Sequence, residues 1–283
     1  MKLGFNLLLW TPHVTLEHEP ILKALKKTGY DGVELPIFEG DPDHYARVGE
    51  MLDKIGLERT VVSVIGPAGK NPLSPDKADR QAALDYAKWC IDNCAALGAP
   101  ILGGPMHSEL GYFTGNPATA AERKRALSFH KKAGDHAGKK GVTFALEALN
   151  RFECYFLNTM AQLAEYVPEV NHPHIKAMYD TFHSNIEEKD PVAAIKTIRP
   201  HMVHVHISEN DRGTPGKGHV PWDQTYKALR KAKYDGWLTI EAFGRAMPAL
   251  AAATRVWRDF APNPEEVYKF GYKNMRDGWA KAK

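Results

Sequence analysis

Four short β-rich runs in the second half of the chain each end in a side chain that can bind a cation or move a proton. Phe144-Ala145-Leu146 leads to Glu147, Ala177-Met178-Tyr179 to Asp180, His204-Val205 to His206, and Leu238-Thr239-Ile240 to Glu241. One such carboxylate means little, because an acid at a strand end often caps the next helix. Four in succession on neighbouring parallel strands converge on one rim and predict a metal site. The competing reading is a rim of capping acids around a core histidine. Three carboxylates and one imidazole are mostly hard oxygen donors. They suit Mn²⁺, with Co²⁺ or Mg²⁺ as alternatives, better than a thiolate-rich zinc site. If each carboxylate binds once, two positions stay open for adjacent substrate oxygens. A cation gripping a carbonyl oxygen and the neighbouring hydroxyl acidifies the C–H between them and stabilises the enediolate. Glu147 and Glu241 approach from separated strands, so one can take a proton from one face while the other delivers a proton to the opposite face. The outcome is epimerisation next to a ketone. A single base would favour aldose–ketose isomerisation instead.

The elements that must position these groups follow one pattern. An amphipathic stretch ends at Gly or a turn and a short apolar run follows, as in Lys26-Lys27-Thr28-Gly29 before Val33-Glu34-Leu35. Eight such runs fall near 2–8, 32–36, 60–65, 100–104, 142–147, 175–180, 202–207 and 237–242. Helices are expected near 17–29, 42–56, 74–97, 117–139, 159–168, 190–198, 221–233 and 245–260. Eight strands alternating with eight helices predict an α/β fold, a (β/α)8 TIM barrel. A doubly wound sheet is the alternative, but it usually has fewer strands, and no GxGxxG fingerprint is present. Gly213-Thr214-Pro215-Gly216-Lys217-Gly218 follows the seventh run and reads as a flexible lid. With no linker or low-complexity tract, residues 1–283 read as a single domain. The barrel is expected over about 1–260, with an additional C-terminal helix over about 265–281. Val267, Phe270 and Met275 are its expected apolar face, against the barrel bottom or a partner chain.

Composition narrows the function classes. The 283 residues are 43% hydrophobic and 25% charged, which is ordinary globular usage. Net charge is +3 with no block of five like charges, so the electrostatic footprint for nucleic acid is weak and no nucleic-acid partner is expected. Cys90, Cys94 and Cys154 form no CxxC pair and read as buried apolar residues. The apolar run Leu7 to Trp10 is too short for a signal peptide, and no membrane-length segment occurs. A cytoplasmic protein with no membrane partner is expected.

The segment Glu147-Ala148-Leu149-Asn150-Arg151-Phe152-Glu153 resembles the E-x-x-N-R-F-E motif of the D-tagatose 3-epimerase family. Asp180-Thr181-Phe182-His183-Ser184-Asn185-Ile186-Glu187-Glu188 resembles its D-T-F-H-x-N-I-E-E motif, and His204-Val205-His206 with Glu209 and Arg212 its H-x-H-x-x-E-x-x-R motif. Pro221-Trp222-Asp223 and Glu241 with Phe243 fit as well. The match is strong over about 140–245 and rests on architecture elsewhere. The family includes D-psicose (D-allulose) and L-ribulose 3-epimerases among xylose-isomerase-like barrels. The resemblance implies that Glu147, Asp180, His206 and Glu241 hold the metal, and that Glu147 and Glu241 double as the acid/base pair. It also implies that Glu153, His183 and Arg212 hydrogen-bond the sugar near its carbonyl end, and that the substrate is a small free ketose. A homo-oligomer, dimer or tetramer, is the expected assembly. Ser208 stands where many members have Gly, and Ala148-Leu149 replaces a common pair of valines. The far end of the sugar is expected near Trp10, Gly66, Met106, His107 and Tyr112 or Phe113, without a residue-by-residue match. His204 reads as a core histidine, and His172 and His174 receive no role. The competing functions are an inosose isomerase or dehydratase, a hydroxypyruvate isomerase, an abasic-site endonuclease, or a non-enzymatic sugar-binding barrel. The endonuclease needs a histidine after the third strand, where Ile65-Gly66-Pro67-Ala68-Gly69 has none.

Overall fold

The computed structural model describes residues 1–66 and 69–282; Pro67 and Ala68, in the loop after the third strand, lie outside the described residues. The eight strands are β1 (Lys2–Asn6), β2 (Gly32–Pro36), β3 (Glu58–Val62), β4 (Ile101–Gly104), β5 (Thr143–Leu146), β6 (Ile175–Asp180), β7 (Met202–Ile207) and β8 (Trp237–Ile240). Each pairs in parallel with the next, and β8 returns to β1, so the barrel is closed. All five residues of β2 and all four of β8 are buried, as expected for parallel strands covered on both faces.

The helices are α1 (Glu19–Thr28), α2 (Pro42–Ile55), α3 (Lys77–Leu97), α4 (Ala120–Lys140), α5 (Met160–Val170), α6 (Thr181–Glu187), α7 (Pro191–Ile198), α8 (Trp222–Lys231), α9 (Pro248–Ala253) and α10 (Pro264–Lys281). Local chemistry sets their ends. Thr119 and Glu122 form a capping box at the start of α4, and Asp41 caps α2. Gly29 and Gly98 close α1 and α3 at φ 116° and 77°, a conformation other residues adopt at a cost.

Four expectations shift. The third strand begins at Glu58 rather than near 60, because the half-buried Arg59 and exposed Glu58 at the barrel's lower rim still pair with β2 despite their charge. The first strand stops at Asn6, whose side chain accepts the Leu8 N–H and turns Leu7–Leu9 into a 3-10 helix. The helix expected over 245–260 shrinks to α9. Its place in the outer ring is taken by α10, which packs on α8, α1, β1 and β8 rather than on the barrel bottom. Val267 and Met275 face inward as expected, but Phe270 remains 39% exposed. Gly271 takes the inward position beside it, where a Cβ would lie 2.5 Å from Ile240 Cδ1. One hydrophobic cluster runs from Leu3 to Ala282, and a smaller one at the barrel mouth joins Leu8, Val62, Phe243, Ala251 and Val256. No helix of the described residues is long and apolar enough to cross a membrane.

Candidate active site

The ends of β5, β6, β7 and β8 bring Glu147, Asp180, His206 and Glu241 together in a buried group. His206 Nδ1 lies 3.6 Å from Glu147 Oε1, 3.6 Å from Asp180 Oδ2 and 3.6 Å from Glu241 Oε1. Glu147 Oε1 and His206 Nδ1 have no hydrogen-bond partner although both atoms are buried. Buried polar atoms are normally paired, so these two mark a place for a further partner. Hard oxygen donors, one imidazole and these two orphaned atoms fit a divalent cation.

The protonation pattern has the same cause. Burial, reinforced by the charges of Asp180 and Glu241 and opposed by His206, pushes the Glu147 carboxyl up to about 8. Burial also works to raise Asp180, but Arg212 and the neighbouring imidazoles override it and hold that carboxyl below the usual range.

Below the four ligand-type residues sits a carboxylate that the sequence analysis did not single out. Glu34 on β2 is completely buried and accepts His206 Nε2 at 2.7 Å, Asn6 Nδ2 at 2.9 Å and Thr60 Oγ1 at 3.0 Å, with His204 Nε2 2.9 Å away. Burial alone would raise it; the adjacent His206 and His204 hold it below the usual carboxylate range. The bond to Nε2 turns Nδ1 of His206 toward the three acids, the arrangement by which a carboxylate orients a metal-binding histidine. His204 reaches Glu34 and not the rim acids, which agrees with a core role. Glu34, His204 and His206 also cluster as donors, but the direct hydrogen-bond distances among them describe a polar support layer. A charged residue inside the apolar run Val33-Glu34-Leu35 was the available signal, as was Asn6 interrupting the first strand's apolar run.

The three residues assigned to the sugar's carbonyl end lie beside this group. Asp180 caps α6 through the Phe182 N–H, and α6 carries His183 to the rim. The Asn150 backbone N–H donates to His183 Nδ1 at 3.1 Å, and His183 Nε2 lies 3.8 Å from Glu147 Oε1. Burial, aided by Arg212, lowers His183 to about 3, so the ring is neutral. Asn150 Nδ2 also donates to Glu153 at 2.8 Å and turns that acid into the cavity. Arg212 Nη1 pairs with Glu241 and lies 3.2 Å from Asp180 Oδ2. Its guanidinium rests 3.8 Å from the centre of the Phe182 ring and 5.0 Å from that of Phe243.

A cavity of about 640 Å³ opens above the group. Glu147, Glu153, His183, Arg212 and Glu241 form its polar floor, and Leu8, Phe38, Val62, Phe243, Met247 and Leu250 belong to its apolar wall. Of the distal positions expected from the sequence, Gly66 lines the cavity. Met106 and His107 are buried in the core, where His107 Nε2 holds the Glu147 carbonyl at 3.0 Å, while Tyr112 and Phe113 are exposed. Trp10 packs on Phe5 and Tyr268. The loops after β1, β3 and β4 do line the cavity, but through Leu8, Val64 and Leu110, and the loops after β2 and β8 and α9 complete the wall with apolar side chains that carry no chemical signature. The segment 213–218 lies folded down on Glu209.

Comparison with known proteins shows the family. The sequence model described as xylose isomerase-like TIM barrel matches residues 22–276. A probable ketose 3-epimerase of Synechocystis is 32% identical, over 98% of this chain and 96% of its own. A D-psicose 3-epimerase of Agrobacterium fabrum is 32% identical, over 92% and 91%. The crystal structure of a D-psicose 3-epimerase with D-tagatose from Clostridium cellulolyticum H10 superposes with a TM-score of 0.89 at 26% identity, covering all of both chains. The chain belongs to the xylose isomerase-like TIM barrel family and, within it, to the ketose 3-epimerases.

Proposed function

We propose that this protein interconverts the C3 epimers of free ketoses, such as D-fructose and D-psicose, D-tagatose and D-sorbose, or ribulose and xylulose. The observation that carries the reading is the pair of buried carboxylates Glu147 and Glu241, on separated strands and each 3.6 Å from His206 Nδ1. Two such groups can face opposite sides of one carbon. Glu147, Asp180, His206 and Glu241 would hold a divalent cation, Mn²⁺ in our reading with Co²⁺ or Mg²⁺ as substitutes. When bound, that cation supplies positive charge that acidifies the C3 hydrogen and stabilises the enediolate.

The chain's own groups account for the rest. Glu153, His183 and Arg212 bind the carbonyl end of the sugar and fix which carbon lies between the two glutamates. One glutamate removes the C3 proton as general base. The other then delivers a proton to the opposite face as general acid. The reverse reaction exchanges their roles. The apolar wall shields the enediolate from water. A small ketose as partner suits the polar floor. Exposed Tyr112, Phe113 and Phe152 on the loops after β4 and β5 offer apolar surface for a second copy, in line with a dimer or tetramer. Three free, buried cysteines suit the cytoplasm.

Glu147→Gln and Glu241→Gln test the reading. Each is expected to lower kcat by at least about a hundredfold with the circular dichroism spectrum unchanged. Full activity in either variant contradicts the two-carboxylate mechanism.

A further inference from the structure

Glu209 has no part in the chemistry above, yet its side chain is completely buried just after β7. The carboxylate gathers four N–H donors from one stretch of chain. The backbone N–H groups of Asn210 and Val220 donate to Oε1 at 3.1 and 3.0 Å. The Gly216 N–H and the Trp222 indole N–H donate to Oε2 at 2.8 and 2.9 Å. A buried carboxylate is costly unless hydrogen-bonded, and bonds to an ionised acceptor are the strong kind. All four donors lie between residues 210 and 222, so this one group pulls the whole loop and the first residue of α8 onto the barrel. The packing has no slack there. A Cβ at Gly218 would lie 2.6 Å from Glu209 Oε1, and Gly216 sits at φ 94°.

Arg212 lies inside the fastened loop. Its backbone has φ 65°, a conformation that costs a non-glycine residue energy and persists only where the surroundings hold it. Its N–H donates to the Glu209 carbonyl at 3.0 Å, and its own carbonyl accepts the Phe243 N–H at 3.0 Å. From that backbone the guanidinium reaches Asp180 and Glu241, with Nη2 2.9 Å from His183 Nε2.

We infer that Glu209 is a positioning residue: by gathering the N–H groups of residues 210–222 it holds Arg212 in its left-handed backbone conformation, and so sets the guanidinium between Asp180 and Glu241. The kinetic consequence rests on the epimerase reading; the fastening of the loop does not. Glu209→Gln keeps the size of the side chain but turns one acceptor into a donor that faces two N–H groups. Its kcat/KM for ketose epimerisation is expected to fall about a hundredfold, mainly in kcat, as for a misplaced active-site group. In an Arg212→Lys background the same change is expected to cost less than about threefold, because two residues acting through one contact are not additive. Trypsin cleavage after the exposed Lys217 is expected to accelerate at least about tenfold, as a loop loses its tethers.

Trp222→Phe removes one donor and serves where Glu209→Gln fails to fold; a several-fold loss of kcat that vanishes in the Arg212→Lys background supports the inference. Losses that multiply with Arg212→Lys overturn it, as does unchanged trypsin sensitivity. If the wild-type chain epimerises no ketose, the epimerase reading fails by itself, and the trypsin rates of the wild type and the variant decide the fastening.

Discussion

His206 shows how much one side chain depends on its two nitrogens facing different neighbours. Nε2 is bound by Glu34 at 2.7 Å, and Nδ1 faces three acids at 3.6 Å. Removing the charge of Glu34 frees the ring to rotate or to change tautomer. Glu34→Gln is therefore expected to weaken Mn²⁺ affinity ten- to a hundredfold, read by the free-Mn²⁺ signal in an electron paramagnetic resonance titration; unchanged affinity would show that Glu34 does not orient the ring. At this scale legibility was uneven. Glu147, Asp180, His206 and Glu241 could be read because each ends an apolar run, where a polar residue stands out. Glu153, His183 and Arg212 needed a motif, since a loop acid, a helix histidine and a loop arginine look ordinary alone. Glu34 and Asn6 went unassigned because barrel closure brings Glu34 to His206 across 172 positions of sequence, and Asn6, whose Nδ2 donates to Glu241 at 3.4 Å, to that acid across 235.

The elements were legible where periodicity and capping agree. Gly after α1, α2, α3 and α4 marks each helix end, and the following strand starts within a few residues. The short α6 went unrecognised because it begins directly on the last residue of β6, and seven residues give no clear helical period. The stretch 245–260 misled because its alanine-rich centre has high helix propensity, while tertiary packing places α9 over the mouth and gives the ring position to α10. Met275 is the test of that placement. It is completely buried on α10. Met275→Ala is expected to cost about 2–5 kcal/mol in stability, measured by urea unfolding. A cost below about 0.5 kcal/mol, ordinary for surface sites, would mean that α10 does not cover the barrel.

At the scale of the molecule, the closed barrel turns four distant stretches of sequence into one site. Strand order decides this: β5 to β8 are consecutive neighbours, so residues ending them share one rim. The same architecture was readable from the repeat of helix, turn and strand, whereas the cavity's upper wall was not, because apolar loop residues have no spacing that distinguishes lining from core. The site leaves Glu147 Oε1 and His206 Nδ1 without hydrogen-bond partners, so a cation that binds the folded chain and not the unfolded one should stabilise it. At a hundredfold excess over Kd the gain is about 2.7 kcal/mol, several degrees in Tm for a chain of this size. Scanning calorimetry of the chelator-treated protein with and without Mn²⁺ checks this, and a Tm indifferent to Mn²⁺ contradicts the assignment of the four ligands.

Proton exchange at C3 between two opposed carboxylates can be seen by incubating the Mn²⁺-loaded protein with fructose, psicose, tagatose, sorbose and ribulose in D₂O and following the C3 hydrogen by proton NMR. Loss of that signal together with appearance of the C3 epimer is expected for at least one ketose. No exchange at C3 with any of them, in protein shown to hold its metal, contradicts the two-carboxylate mechanism.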